Sequence, residues 1–269
     1  QEPINTRTKE RRFLEKFMKK IIFTILTLGL FISAFAQRDN LNKQLEQLGQ
    51  NHNEFLTFMF TKTRDNNLSL CDKKSYKIWN QWAREFFATK YANWEGDFVD
   101  FYAANKWDEQ PLYPKKELSA EANSYLKKLA DQIELLNDKN FAGFANFCTN
   151  LQNDALSNLK SDNDAIIVGS AIVVAKYSSQ YWDKHMDEWN NYFSAMPCSP
   201  KHQTKLSPTE KKVLQADASG AISGAISGIG VPPPVASSIA GALVYGGFSS
   251  CITGVCIGFG IDHITDWLW

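Results

Sequence analysis

Between residues 218 and 261 the chain has no charged side chain, and after Lys212 it has no lysine or arginine. The first absence means that this stretch must be buried in protein or inserted in lipid. The second removes the cationic anchors that flank membrane spans. Histidine is scarce, with four in 269 residues, and no two cysteines form a C-x-x-C pair. Neither a thioredoxin-like motif nor a zinc knuckle is therefore indicated. There is no G-x-S-x-G, no P-loop, no G-x-G-x-x-G and no H-E-x-x-H, so the common hydrolase and nucleotide-binding signatures are missing. No stretch alternates apolar and polar residues at the period of a strand, and no long repeat is present. That leaves an all-α chain of about seven helices.

The uncharged stretch organises the rest. Ser207 is a good N-cap, Pro208 suits the first helical position, and Glu210 completes a capping box. One helix is predicted over residues 208–230, roughly 34 Å long. Gly230 and the run Pro232, Pro233, Pro234 close it. Gly220, Gly224 and Gly228 recur every four residues, with Ala216 in phase. Each step turns only about 40°, so they share one smooth face. Ile222, Ile226 and Ile229 lie opposite. A glycine costs about 1 kcal/mol per helical position relative to alanine, so repeated glycines in phase imply that another backbone comes close. A second Gly/Ala-rich leg runs from Pro234 to Ile261.

Two readings of this C-terminal helical hairpin stand. It sits buried at the centre of a single-domain bundle, or it inserts into a membrane as a glycine zipper of the bacteriocin or toxin kind. The uncharged part of the first leg spans only about 20 Å against the roughly 30 Å of a bilayer core. The second leg is long enough, but Gly246, Gly247, Gly254, Gly258 and Gly260 dilute it. The missing cationic anchor favours burial.

Residues 1–17 are polar and do not begin with Met. Met18-Lys19-Lys20, an apolar run over 21–35 and the ending Ala34-Phe35-Ala36 form the three parts of a secretory signal peptide. We read residues 1–17 as an over-extended start, 18–36 as the signal, 37–200 as a helical bundle and 201–269 as the capped linker and hairpin. No cysteine follows the apolar run, so no lipid anchor is expected. The mature chain would begin at Gln37, in the periplasm or outside the cell. Residues 1–36 hold seven of the 29 basic and three of the 29 acidic residues, leaving 22 against 26, or −4. That balance argues against general nucleic-acid binding. All five cysteines lie in the exported part, where disulfides are permitted. Cys251 and Cys256, about 7.5 Å apart along one helix, cannot bridge each other there.

Helical spacing recurs along the chain. Leu41, Leu45, Leu48, His52, Phe55 and Met59 form one stripe. An aromatic-dense region runs from Tyr76 through Trp79, Trp82, Phe86 and Phe87 to Trp107; at this spacing such residues are core more often than a sugar platform. Ser119 caps a helix with Leu126, Leu129, Ile133 and Leu136 on one face. Phe141, Phe144, Cys148 and Leu151 begin the next. Residues 164–193 read as a long helix, apolar all round from Ala165 to Ala175. The glycine face is expected to meet the second leg, residues 234–261, and the buried half of this long helix around Gly169.

Three pairings could hold a metal: His185 with Glu188; Asp262, His263 and Asp266; and His52 with Glu54. Imidazole plus carboxylate is zinc chemistry, but lone histidines are more often hydrogen-bonded singly. We expect no catalytic, cofactor-binding or metal site.

His52-Asn53, the cluster Ser178, Ser179, Tyr181, Trp182, and the Asp217-x-x-Gly220-Ala221-x-x-Gly224 zipper with prolines behind it together resemble uncharacterised exported all-helical proteins of Bacteroidota. The signal ending Ala36-Gln37 is similar to theirs. We expect a non-catalytic protein acting by binding at the cell envelope or outside the cell, and the resemblance implies an all-helical exported one. It brings no activity. Its partner would be a protein or envelope component, with membrane association arising only through the hairpin.

Overall fold

The computed structural model describes residues 38–71, 73–90, 111–136, 141–197, 209–229 and 234–259. The signal-peptide reading of residues 18–36 lies outside them, as do 91–110 and 260–269. The described residues are all-helical, with no strand among them. They form α1 (38–65), α2 (Lys73–Lys90), α3 (Ala120–Glu134), α4 (Phe141–Asn158), α5 (Asp162–Ser194), α6 (Thr209–Ile229) and α7 (Pro234–Phe259). Residues 38–43 fall in an N-terminal unit, Gln1–Lys43; the second unit is Gln44–Trp269, and it is described from here on.

Local signals set the helix ends. Ser119 accepts from the Ala122 N–H at 3.1 Å, and Ser161 from the Asp164 N–H at 3.3 Å, each satisfying an amide that its first turn leaves free. Asp162 and Asp164 add negative charge at the positive end of α5. At the end of α1 the Leu68 N–H donates to the Thr63 carbonyl and the Asn67 N–H to that of Arg64. Asn67, at φ 49°, supplies the left-handed residue that this closing pattern needs.

The 33 residues of α5 make a rod of about 50 Å, buried all round over residues 164–176. It packs against α3, α4, α6 and α7. Beside it lies α1: Leu45 covers Gly169, Gly49 meets Tyr177, and the rings of Phe60 and Trp189 stack at 5.1 Å. Further on, the Tyr192 hydroxyl donates to the Thr63 carbonyl at 3.1 Å. The residue numbers rise together along both helices, so α1 and α5 run in the same direction. Expectation and structure part at Gly169. A Cβ there would come within 2.5 Å of Leu45 on α1, not against α6. A helix apolar on every side carries no mark of which neighbour takes which face.

α6 and α7 pack closely against each other, and they run antiparallel. A Cβ on Gly220 would stand 2.6 Å from the Tyr245 carbonyl oxygen, one on Gly224 would land on the Gly241 carbonyl, and one on Gly228 on the Ser237–Ser238 backbone. Trp182, Trp189 and Phe193 fill the space where α5 meets its neighbours, with Trp182 and Trp189 at 5.0 Å. In α2, Trp79 and Phe87 are fully buried and Phe86 nearly so, as core spacing predicts. Trp82 is only half-buried, with the Lys62 ammonium 5.9 Å from its ring. Cys71 is disulfide-bonded, while Cys148 and Cys251 are buried free thiols.

One polar anchor ties α1 to α5. Lys176 reaches both Glu46 oxygens, at 2.7 and 2.9 Å, and the Tyr177 hydroxyl donates to Glu46 at 2.9 Å. Burial pushes the Glu46 carboxyl up, but these hydrogen bonds and the Lys176 charge outweigh it and hold the carboxyl below its usual range. A lowered carboxyl adds stability above its unfolded value, and that stability is lost as pH falls through the folded one. Glu46→Gln should therefore cost about 1.5–3 kcal/mol at neutral pH, as for hydrogen bonds to charged groups. It should cost little in acid. Urea melts at several pH values would show this; a cost that does not shrink in acid would contradict it.

Candidate functional site

Four helices bring a polar cluster together inside the protein. Asp217 of α6 is fully buried. The hydroxyl of Ser178 on α5 makes a short hydrogen bond to its Oδ2, and Ser250 of α7 donates to the same oxygen at 2.9 Å. The Trp182 indole N–H donates to Ser250 Oγ at 3.2 Å. From α1, His52 places Nε2 3.7 Å from Asp217 Oδ2, with both side chains wholly inaccessible. Neither His52 Nε2 nor Asp217 Oδ1 has a hydrogen-bond partner. Two unpaired polar atoms in one buried cluster carry a free-energy cost that packing elsewhere must offset.

The histidine tautomer follows from its neighbour. The Asn53 amide donates Nδ2 to the Tyr177 carbonyl at 2.9 Å, which turns Oδ1 toward His52 Nδ1 at 3.1 Å. An amide oxygen only accepts, so His52 carries its proton on Nδ1 and offers a lone pair at Nε2. Burial pushes His52 down to about 4, against a smaller upward pull from Asn53. It pushes the Asp217 carboxyl well up, with the bonds from Ser178, Ser250 and Trp182 opposing. Burial also raises the Cys251 thiol, aided by the Asp217 charge. Desolvation thus favours an uncharged cluster with one proton between Asp217 and His52.

These residue types invite comparison with a Ser-His-Asp relay, and the geometry rules that out. Ser178 is bonded to the carboxylate rather than to His52, so the imidazole has no hydroxyl to activate. His52, Ser178, Asp217 and Ser250 are all fully buried.

Above it lies an open groove of about 910 Å³ between α1 and α5. Gln50, Asn53, Thr57 and Thr61 form one wall, and Tyr177, Gln180 and Tyr181 the other. Phe58 adds a half-buried ring. Glu54 and Asp65 balance Lys62 and Lys184 around the rim. Asn53 lies in both groove and cluster. Tyr181 accepts from the Trp189 indole N–H at 3.1 Å and carries the His185 ring at 4.5 Å. Burial pushes its phenol well up.

The sequence-predicted metal donors do not converge. His185 Nδ1 meets Glu188 at 3.2 Å, and Glu188 also accepts from Arg64 at 3.3 Å. His52 points inward, whereas Glu54 points outward to Lys90 at 2.6 Å. Asp262, His263 and Asp266 lie outside the described residues. Among the described residues no three metal-donor side chains cluster. His52 instead faces Asp217, a pairing that crosses 165 positions of sequence. Its one trace was an acid, Asp217, in phase with buried small residues. Family models, curated proteins and solved structures offer no match to this chain.

Proposed function

We propose that this chain is an exported, non-catalytic binding protein whose ligand lies in the α1–α5 groove. The observation that carries this reading is the groove wall. Neutral amides and hydroxyls (Gln50, Asn53, Thr57, Thr61, Gln180) stand beside aromatic rings, and the rim charges cancel. That set suits an uncharged, hydroxyl-rich ligand such as a short glycan, which offers hydrogen-bonding edges and an apolar face. Export is supported by the Cys71 disulfide, a bond at home in an oxidising compartment. The signal over 18–36 and a mature start at Gln37 belong to the same proposal. In it, α6 and α7 are a Gly/Ala-rich hairpin at the bundle's centre, and the close approach at Gly224 supports that reading.

The test is a panel of neutral and charged oligosaccharides against the folded chain and Thr57→Trp. Thr57 is exposed, so an indole there fills the groove without entering the core. Neutral glycans should bind the parent and lose at least about tenfold in affinity for the variant, roughly 1.4 kcal/mol. Binding of charged glycans only, or equal binding by both proteins, would remove the groove from the account.

A second reading rests on Val235–Val255, which has the length and mean hydropathy (1.5) of a membrane span. In it the 208–261 segment acts on membranes like a toxin or bacteriocin. Dye release from anionic vesicles would favour it; intact vesicles would count against it.

A further inference from the structure

We propose that His52, Asp217 and Asn53 form a one-proton latch that holds α1 against α5, α6 and α7, and that a second proton releases α1 and dismantles the groove. This deepens the groove reading by naming how that site is regulated, and it rests on that reading only for its consequence. The latch itself stands on four contacts. Asn53 fixes the His52 proton on Nδ1. The Nε2 lone pair then faces Asp217 at 3.7 Å and has no other partner. Ser178 of α5 and Ser250 of α7 hold the carboxyl in place. Asn53 carries the state of the cluster to the groove wall.

The proton count decides the behaviour. With one proton, the cluster is neutral if the proton is on Asp217, or an internal ion pair if it is on Nε2. In both forms Nδ1–H still donates to Asn53, and the groove keeps its shape. A second proton, taken from solvent, leaves an imidazolium facing a protonated carboxyl. A net positive charge then sits between two side chains that have no solvent-exposed surface. The ionisable groups packed around it do not neutralise it. Cys251 of α7 and Tyr181 of α5 are both held in their neutral forms by burial. The Glu46–Lys176 pair is already matched within itself. Hydrating the charge requires opening. α1 is the element to move, because Asp217 is tied to α5 and α7 by two hydroxyls, while His52 reaches α5 only through Asn53 and its bond to the Tyr177 carbonyl.

Hydrogen exchange tests this without any ligand. Exchange of residues 44–60 is compared at about pH 7 and about pH 4.5 after correction for the intrinsic rate. Imidazole nitrogen shifts of His52 are followed through the same range. We expect Nδ1–H and a bare Nε2 at neutral pH. In acid, protection of residues 44–60 should fall at least about tenfold, at the same midpoint as His52 protonation. His52→Asn keeps a donor at the Nδ1 position and cannot take up the proton, so its protection should persist. Protonation and opening at separate midpoints, or no acid opening in the parent chain, would overturn the latch; neither needs the variant to fold. Protection lost equally in His52→Asn would overturn it too. A chain that opens in acid yet binds no neutral glycan would keep the latch and discard only the groove reading.

Discussion

Gly224→Leu is expected to lower the melting temperature of the folded chain by about 6–12 °C in plain buffer. The figure is an overpacking cost near 3 kcal/mol, converted at roughly 2–4 °C per kcal/mol for a unit of this size. The reason is the identity of the neighbour. A Cβ on Gly224 would strike the Gly241 carbonyl, and one on Gly241 would strike the backbone of Gly224. A flexible side chain could move aside; a backbone carbonyl inside a helix moves only if the whole helix moves. Even Gly224→Ala should destabilise, although alanine gains about 1 kcal/mol of helix propensity over glycine. Ser227→Leu is the control. Ser227 is exposed on the same helix and should change stability by no more than about 0.5 kcal/mol. If Gly224→Leu melts at or above the parent, α6 and α7 are not packed in solution, and the membrane-active reading of Val235–Val255 gains.

The second large effect is expected at Asp217. A carboxyl whose folded value is raised adds stability below its unfolded value near 3.8, and loses it as pH rises through the folded one. At neutral pH and above, Asp217 therefore counts against the fold. Asp217→Asn should raise stability at about pH 8, since the amide oxygen can still accept from Ser178 and Ser250. His52 has the opposite sign. Its value falls from 6.5 to about 4, so its contribution is complete above about 6.5 and is lost as pH drops toward 4. The loss is at most about 3.4 kcal/mol, at 1.36 per unit. Denaturant melts from acid to alkaline pH would show the parent weakening on both sides and Asp217→Asn weakening chiefly in acid. A variant that is weaker than the parent at every pH would mean that Asp217 is ionised in the fold and paired with a charged His52. An acid kept where it costs stability is what one finds where function is bought at stability's expense.

Much of this fold was legible before any tertiary contact was known. Ser119 announced its helix because capping is a contact between residues three apart. The stripes of α1, α3 and α4 could be read because a helix repeats every 3.6 residues. The phase of Gly220, Gly224 and Gly228 showed that a backbone approaches α6, and α7 does. These are local facts, and the chain writes local facts in order. What the tertiary structure alone decided is which faces meet. Gly169 receives Leu45 rather than α6. His52 turns from Glu54 toward Asp217, and Trp82 stays near solvent while Trp79 does not. The groove exists because α1 and α5 happen to run side by side in one direction. None of this has a period, because each contact joins residues on different helices, and Leu45–Gly169 and His52–Asp217 lie more than a hundred positions apart in the chain. Their meeting depends on how all seven helices share buried surface at once.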